Sequence, residues 1–385
     1  MIDGLRLYDG SQQEQLVSSS VHDTRRAIPT GFAGIDSLLR RGGILPGNLV
    51  LFGGRTGTRK TTVLANMAVA MARADVPVAV VGLDEQPWQY VIKLMSAWSG
   101  RSQEWLEGRW DEDLGKQFRR EWRQFAKDRV FIYGGKRPTP DHLTGVVEMA
   151  GMGGSPPAVI FIDYLKLMTR KGSFAYGDNS RIPQLVEELQ LWSTENQVAV
   201  VALHQLSRND EHGGGGNSRN NGHIPMTLAQ LMYGGEDSAD IVLGTYRPAK
   251  NPLGLMKMDV ARQVLGDRFD EDDYYVAKGL VEKYAQTTFL QLLKNRPGTL
   301  TEERGIELLS PDDSMAMTEK EGYPDGAGDA AGSGEDNAVH HGDGRGEAVD
   351  EHSHRAAPGD AGEARGHDSA VHRSPAPGER GGGDG

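Results

Sequence analysis

The sequence predicts an α/β protein with a mostly parallel central sheet flanked by helices. Three observations carry that prediction. Six short apolar runs rich in β-branched residues recur between residues 48 and 247, helical segments lie between them, and a glycine-rich turn joins the first run to the first helix. The runs are apolar throughout rather than alternating, the pattern of strands covered on both faces.

In chain order, "NLVLFGG" (48–54) is the first strand. "TTVLANMAVAMARAD" follows as a helix with Val63, Leu64, Met67, Ala68 and Met71 on one face. "PVAVVGLDE" (77–85) is the second strand, and the stretch from about Trp88 to Lys127 is mostly helical. Five tryptophans fall between 88 and 122, where helical context assigns them to packing ahead of base stacking. Strands "RVFIYGG" (129–135), "AVIFID" (158–163), "VAVVALHQ" (198–205) and "DIVLGTYR" (240–247) come next, with the helix "IPQLVEELQLWSTENQ" at 182–197. Beyond Arg247 the pattern blurs until two late strands, "TTFLQLLKN" (287–295) and "GIELL" (305–309).

A boundary is expected near Ser310. Residues 311–385 carry a net charge of −11 of the chain's −12, so residues 1–310 are nearly neutral. This Gly-rich acidic tail has few large apolar residues and reads as disordered, because it cannot bury enough surface to offset ordering. Six of the eleven histidines lie there, too irregularly spaced for a metal site. The chain has no cysteine, which excludes disulfides, thiolate catalysis and Cys-based metal centres. No apolar run nears the ~20 residues needed to span a bilayer, and no signal peptide opens the chain. A soluble cytoplasmic protein is expected.

The glycine-rich turn is "GRTGTRKTT", residues 54–62. A phosphate-binding P-loop reads G-x-x-x-x-G-K-[ST], and Gly54, Lys60 and Thr61 hold that spacing. The turn follows a strand and opens a helix, so the amides of Gly54, Arg55, Thr56, Gly57, Thr58, Arg59, Lys60, Thr61 and Thr62 can cradle phosphate at a helix N-terminus. Lys60 would reach the β- and γ-phosphates of ATP and Thr61 would ligate Mg²⁺. Arg59 stands where the second glycine belongs. It keeps the donors, lacks glycine's freedom at positive φ and adds a Cβ, while Gly57 is expected to absorb the sharpest part of the turn.

A carboxylate at the end of a neighbouring strand should complete the Mg²⁺ shell, and Asp163 in "AVIFIDYLKLM" occupies such a place. Asp84 and Glu85 close the strand after the P-loop helix. A carboxylate there could activate the attacking water, and an acidic pair is also favoured by a helix dipole. The sequence leaves open which of the two is the base.

The run "IPTGFAGIDSLLRRGGILPGNLVLFGGRTGTRKTT" resembles the opening of RecA-like ATPase domains of the DnaB, RadA and KaiC kind. "FIDYLKLM", "VVALHQLSRN", "SADIVLGTYR" and "LLKNRPG" resemble, in order, successive motifs of DnaB-type replicative helicases. The resemblance covers roughly residues 28–309. It implies a RecA-like P-loop fold and a ring hexamer that hydrolyses ATP while moving on single-stranded DNA during replication. It further implies that Asp163 belongs to the magnesium shell, that Asp84 or Glu85 is the catalytic base, and that Gln205 senses the γ-phosphate. Lys294 and Arg296 in "KNR" match a basic pair that reaches the next subunit's site. The loops at 169–181 and 207–225 take the positions of DNA-contacting loops, where Arg170, Lys171, Arg181, Arg208 and Arg219 could meet phosphates. A RecA/RadA-like recombinase and a KaiC-like regulatory ATP-binding protein are the rival readings. One departure from the resemblance is that only about 27 residues stand before Ile28, where DnaB proteins carry a helical N-terminal domain; they are expected to supply at most a short linker helix, so no primase or loader is assigned.

Overall fold

Strand β1 (Leu49–Gly54) lies inside a sheet that also holds β2 (Val78–Gly82), β3 (Val130–Ile132), β4 (Val159–Asp163), β5 (Ala199–Gln205) and β6 (Ile241–Tyr246). Three later strands extend it: β7 (Thr287–Asn295), β8 (Arg304–Leu309) and β9 (Thr318–Glu319). The computed structural model describes residues 13–14, 27–169, 181–205, 221–231, 235–296, 304–310 and 314–320. Within them the strand order is β3-β2-β4-β5-β1-β6-β7-β8-β9. The first six strands pair in parallel, and β7 to β9 add on as antiparallel neighbours.

The continuous apolar runs are explained by burial of both sheet faces. Val50, Phe52, Phe161, Val201 and Leu243 pack on one side with the helix Lys60–Arg73. Leu49, Leu51, Ile160, Ile162 and Val200 pack on the other with Leu185, Val186 and Leu189 of the helix Arg181–Asn196. The Lys60–Arg73 helix is buried beyond its expected face, since Ala65, Val69 and Ala72 are also covered. The 88–127 region resolves into helices Pro87–Ser99, Gln103–Gly108 and Asp113–Ala126. Trp98 packs against Phe118, Trp122 and Phe125, and Trp105 against Phe118; with Trp110, packed in the same cluster as Trp105 and Trp122, four of the five tryptophans lie in packed clusters. Trp88 is exposed.

Three elements go beyond the sequence reading. Helix Pro140–Met152 begins with Pro at its first position and a Thr139–His142 capping box, a start signal its weak periodicity obscures. The blurred stretch between β6 and β7 holds helices Pro252–Leu255, Met258–Leu265 and Glu271–Lys283, although antiparallel neighbours need only a short hairpin. The fold also continues past Ser310, where the sequence predicts the start of the tail. Met315 and Met317 are buried, their backbones bond to Asn66 and Ser96, and Glu319 accepts from Gly34 N at 2.9 Å. No helix among the described residues is long and apolar enough to cross a membrane.

Candidate functional site

Strand register gathers the chemistry at one edge of the sheet. Gly54 of β1 is level with Gln205 of β5 and Thr245 of β6, and Gly82 of β2 is level with Asp163 of β4. These are the C-terminal ends of parallel strands, where open α/β sheets bind ligands.

Gly54 opens the loop and has no room for a side chain. A Cβ there would lie 2.6 Å from Thr245 Oγ1 and 2.7 Å from Thr58 Oγ1. Thr58 Oγ1 donates to Arg55 O at 2.8 Å and therefore accepts from Thr245 Oγ1 at 2.9 Å, tying the loop to β6. The turn is shared differently from expectation. Gly57 is left-handed at φ 78°, but so is Arg59 at φ 65°, in a conformation that costs a non-glycine residue roughly 1–2 kcal/mol. Arg59 Nη1 donates to Gln286 O at 3.3 Å, so the side chain reaches toward the approach to β7. Arg59 thus accepts glycine's backbone role and projects its charge sideways.

Lys60 Nζ donates to Gly54 O at 2.8 Å and Arg55 O at 3.0 Å. Burial pulls its pKa down to about 8 against the opposing charge of Asp163, with Lys250 lowering it and Asp84 raising it in smaller measure. Thr61 Oγ1 donates to Asp163 Oδ2 at 2.9 Å. Burial raises the Asp163 pKa, and the Thr61 hydrogen bond and Lys93 act against that rise. Two hard oxygens side by side, from Thr61 and Asp163, suit Mg²⁺, which keeps several water and phosphate ligands. The Thr62 hydroxyl faces Met315 Sδ at 3.6 Å, so in this first helical turn only its backbone N–H is left for a ligand.

The acidic pair is separated by its surroundings. Both Glu85 oxygens lie 2.5 Å from Lys93 Nζ. Asp84 is exposed, and its charge is felt at both Lys60 and Asp163. Tyr90 stands behind them, its hydroxyl donating to Asp163 O at 3.3 Å and its ring filling the space over Gly82. On the far side of the loop, Lys250 Nζ donates to Thr56 O. Tyr90, Lys93, Thr245 and Lys250 escape a reading of the sequence. Strand order and helix docking bring them to the motif, so no local signal marks them.

Lys294 and Arg296 lie elsewhere. Val242 pairs with Lys294 at the start of β6, whereas Thr245, level with Gly54, stands at its far end. Lys294 Nζ donates to Glu236 O at 2.5 Å and Asp237 O at 3.1 Å, and Arg296 Nη1 is 3.9 Å from Asp240 Oδ1. The pair is not brought to this chain's own loop. The backbone of Gln205 ends β5 beside Gly54. Arg170, Lys171, Arg208 and Arg219 lie outside the described residues, and Arg181 is described only as the first residue of its helix.

A family model for the DnaB-like helicase C-terminal domain matches residues 27–300. Replicative DNA helicase DnaB of Helicobacter pylori is 28% identical over 222 residues, which are 57% of this chain and 43% of the relative. The DnaB of Haemophilus influenzae is 25% identical over 274 residues, 65% of this chain and 56% of the relative. The chain therefore spans about half the length of the curated relatives it matches. A solved ATPase domain superposes with a TM-score of 0.60 at 21% identity, covering 81% of this chain and 100% of that one. A DnaB-like replicative helicase, solved in a study of its interactions with primase, gives 0.57 at 18% identity, covering 80% and 67%. Both share the RecA-like fold described above.

Proposed function

Because the chain belongs to the DnaB-like helicase C-terminal domain family, we propose that it is the ATPase motor of a replicative DNA helicase, a ring hexamer that moves on single-stranded DNA. The observation that carries this reading is the convergence of Lys60, Thr61 and Asp163 at the end of β1 and β4, with Asp84 beside them and Lys294/Arg296 at the opposite end of the sheet.

Each residue has a role that its setting allows. The loop amides and Lys60 bind the triphosphate, Lys60 exchanging its two carbonyl contacts for phosphate oxygens. Thr61 and Asp163 would hold Mg²⁺, which when bound would supply charge neutralisation on the phosphates. Asp84, exposed and in no ion pair among the described residues, accepts the proton of the attacking water. Glu85 is held by Lys93 and orients the turn that carries Asp84. Gln205, at the strand end nearest the loop, reads the γ-phosphate.

Lys294 and Arg296 serve the neighbouring subunit's nucleotide. From Thr245 to Ile241 the strand runs at about 3.3 Å per residue, roughly 13 Å, which puts the pair beyond reach of its own loop. An arginine acting in trans on phosphoryl transfer contributes ~10³–10⁵ in rate. Arg170, Lys171, Arg181, Arg208 and Arg219 are proposed as DNA phosphate contacts. Fork unwinding with Mg²⁺ and ATP tests this function. The full chain should separate a labelled forked duplex, and Lys60→Ala should not. A wild-type protein that binds ATP and forms rings yet never unwinds a fork, whatever the strand polarity, contradicts it.

A further inference from the structure

The turn after β6 overhangs the phosphate loop, because β6 lies next to β1 with Thr245 level with Gly54. Residues Pro248–Lys250 form a short helical turn there. The turn is anchored on both sides. Lys250 N bonds to Arg247 O at 2.9 Å, Asn251 Oδ1 caps the next helix at Leu253 N, and Arg247 Nη2 donates to Ala285 O at 2.7 Å. Its lysine crosses to the loop, where Nζ bonds to Thr56 O and sits over Gly57. A Cβ on Gly57 would lie 3.3 Å from that nitrogen.

The company kept by Lys250 is cationic. No carboxylate among the described residues pairs with it, and the charges that act on it are those of Arg247 and Arg55. Its own charge acts in turn on Lys60 and His223. Lys60 rests on the same loop in the same manner, on the carbonyls of Gly54 and Arg55. Two amines thus sit on carbonyls of one loop, and the carboxylates of Asp163 and Asp84 act on Lys60 alone, an arrangement that favours arrival of a polyanion. Burial lowers the Lys250 pKa, in keeping with a cation short of an anionic partner.

We propose that Lys250 is a second phosphate-binding lysine of the nucleotide site, delivered by the turn that follows β6. On binding, it leaves Thr56 O for an oxygen of the di- or triphosphate and draws the 248–250 turn against the ligand. The inference rests on the nucleotide-site reading above and goes beyond it in assigning a cation that lies far from the motif in sequence.

The test is isothermal titration of the full chain with ADP and Mg²⁺ at two salt concentrations, for wild type, Lys250→Met, Lys250→Arg and Lys60→Ala, with melting curves of each free protein. Loss of a charge-assisted contact predicts a Kd about ten- to a hundredfold weaker for Lys250→Met, with Lys250→Arg within about threefold of wild type. The salt dependence of binding should be shallower in Lys250→Met, and the free protein should melt within about 2 °C of wild type. Equal Kd values for wild type and Lys250→Met overturn the inference while the nucleotide site stands. A loss shared by Lys250→Arg and matched by a lower melting temperature also overturns it, since the lysine would then only brace the loop. A wild type that binds no ADP removes both this inference and the site beneath it.

Discussion

Separate variants of Lys60 and Arg296 should rescue each other when mixed. Lys60→Ala removes the charge that meets the phosphates, and Arg296→Ala removes the guanidinium proposed to reach the next subunit. Along β6, Thr245 is level with the loop and Ile241 with Asn295, so the pair and the loop of one chain stand at opposite ends of the strand. If the arginine acts in trans, a site works when an intact loop meets an intact neighbour. In rings assembled at random from equal amounts of the two variants, about a quarter of the interfaces meet that condition, each regaining the ~10³–10⁵ an arginine finger supplies. ATPase activity should then rise from near zero in either parent to about a quarter of wild type, or less if sites must fire in succession. The assay is steady-state phosphate release after co-unfolding or co-expression, with subunit mixing verified by native mass spectrometry. If the arginine acts within its own chain, every subunit carries one defect and no activity returns. Verified mixed rings without recovery would refute the inter-subunit role.

Four further expectations can be checked alongside it. Lys60→Ala should abolish turnover and leave the fold intact. Because burial lowers the Lys60 pKa from 10.5 to about 8, folding disfavours its charged form; that cost is full below pH 8 and fades as pH rises toward 10.5. The variant should therefore melt no lower than wild type at pH 7, with any gain shrinking above about pH 9 in a melting series. Asp84→Asn should lose at least about a hundredfold in kcat while still binding ATP, whereas Glu85→Gln, which only loosens the Lys93 ion pair, should lose less than about tenfold; the reverse order in single-turnover kinetics reassigns the base. Arg59→Gly relieves a left-handed backbone worth roughly 1–2 kcal/mol but adds unfolded-chain freedom of about 0.5–1 kcal/mol, so melting and ATP Kd should change little; a tenfold tighter Kd would mean that the natural loop obstructs its ligand.

Much of this fold is written locally. Strands buried on both faces must be apolar along their whole length, so β1, β2, β4, β5 and β6 stand out in the sequence, as does the loop that leaves β1. Asp163 is legible because it ends such a strand. What escapes depends on pairing across the chain. Lys250 meets Thr56 only because β6 neighbours β1, and Lys93 meets Glu85 only once its helix has docked. The helices between β6 and β7 leave Val260, Val264, Tyr275 and Val276 exposed, so their apolar residues do not mark a buried face. Met315 and Met317 are hidden by the acidic composition around them, although both are buried. Arg59 shows the limit of motif reading. The letter is wrong for a P-loop, but the backbone at that position is left-handed as a glycine's would be.

The central claim is that the loop at 54–62 powers motion on single-stranded DNA. Steady-state ATP hydrolysis by the full chain, with and without single-stranded DNA at fixed Mg²⁺, tests it most directly. Hydrolysis should be measurable, rise several-fold with DNA and vanish in Lys60→Ala. Hydrolysis indifferent to DNA, or undiminished in Lys60→Ala, would contradict the claim.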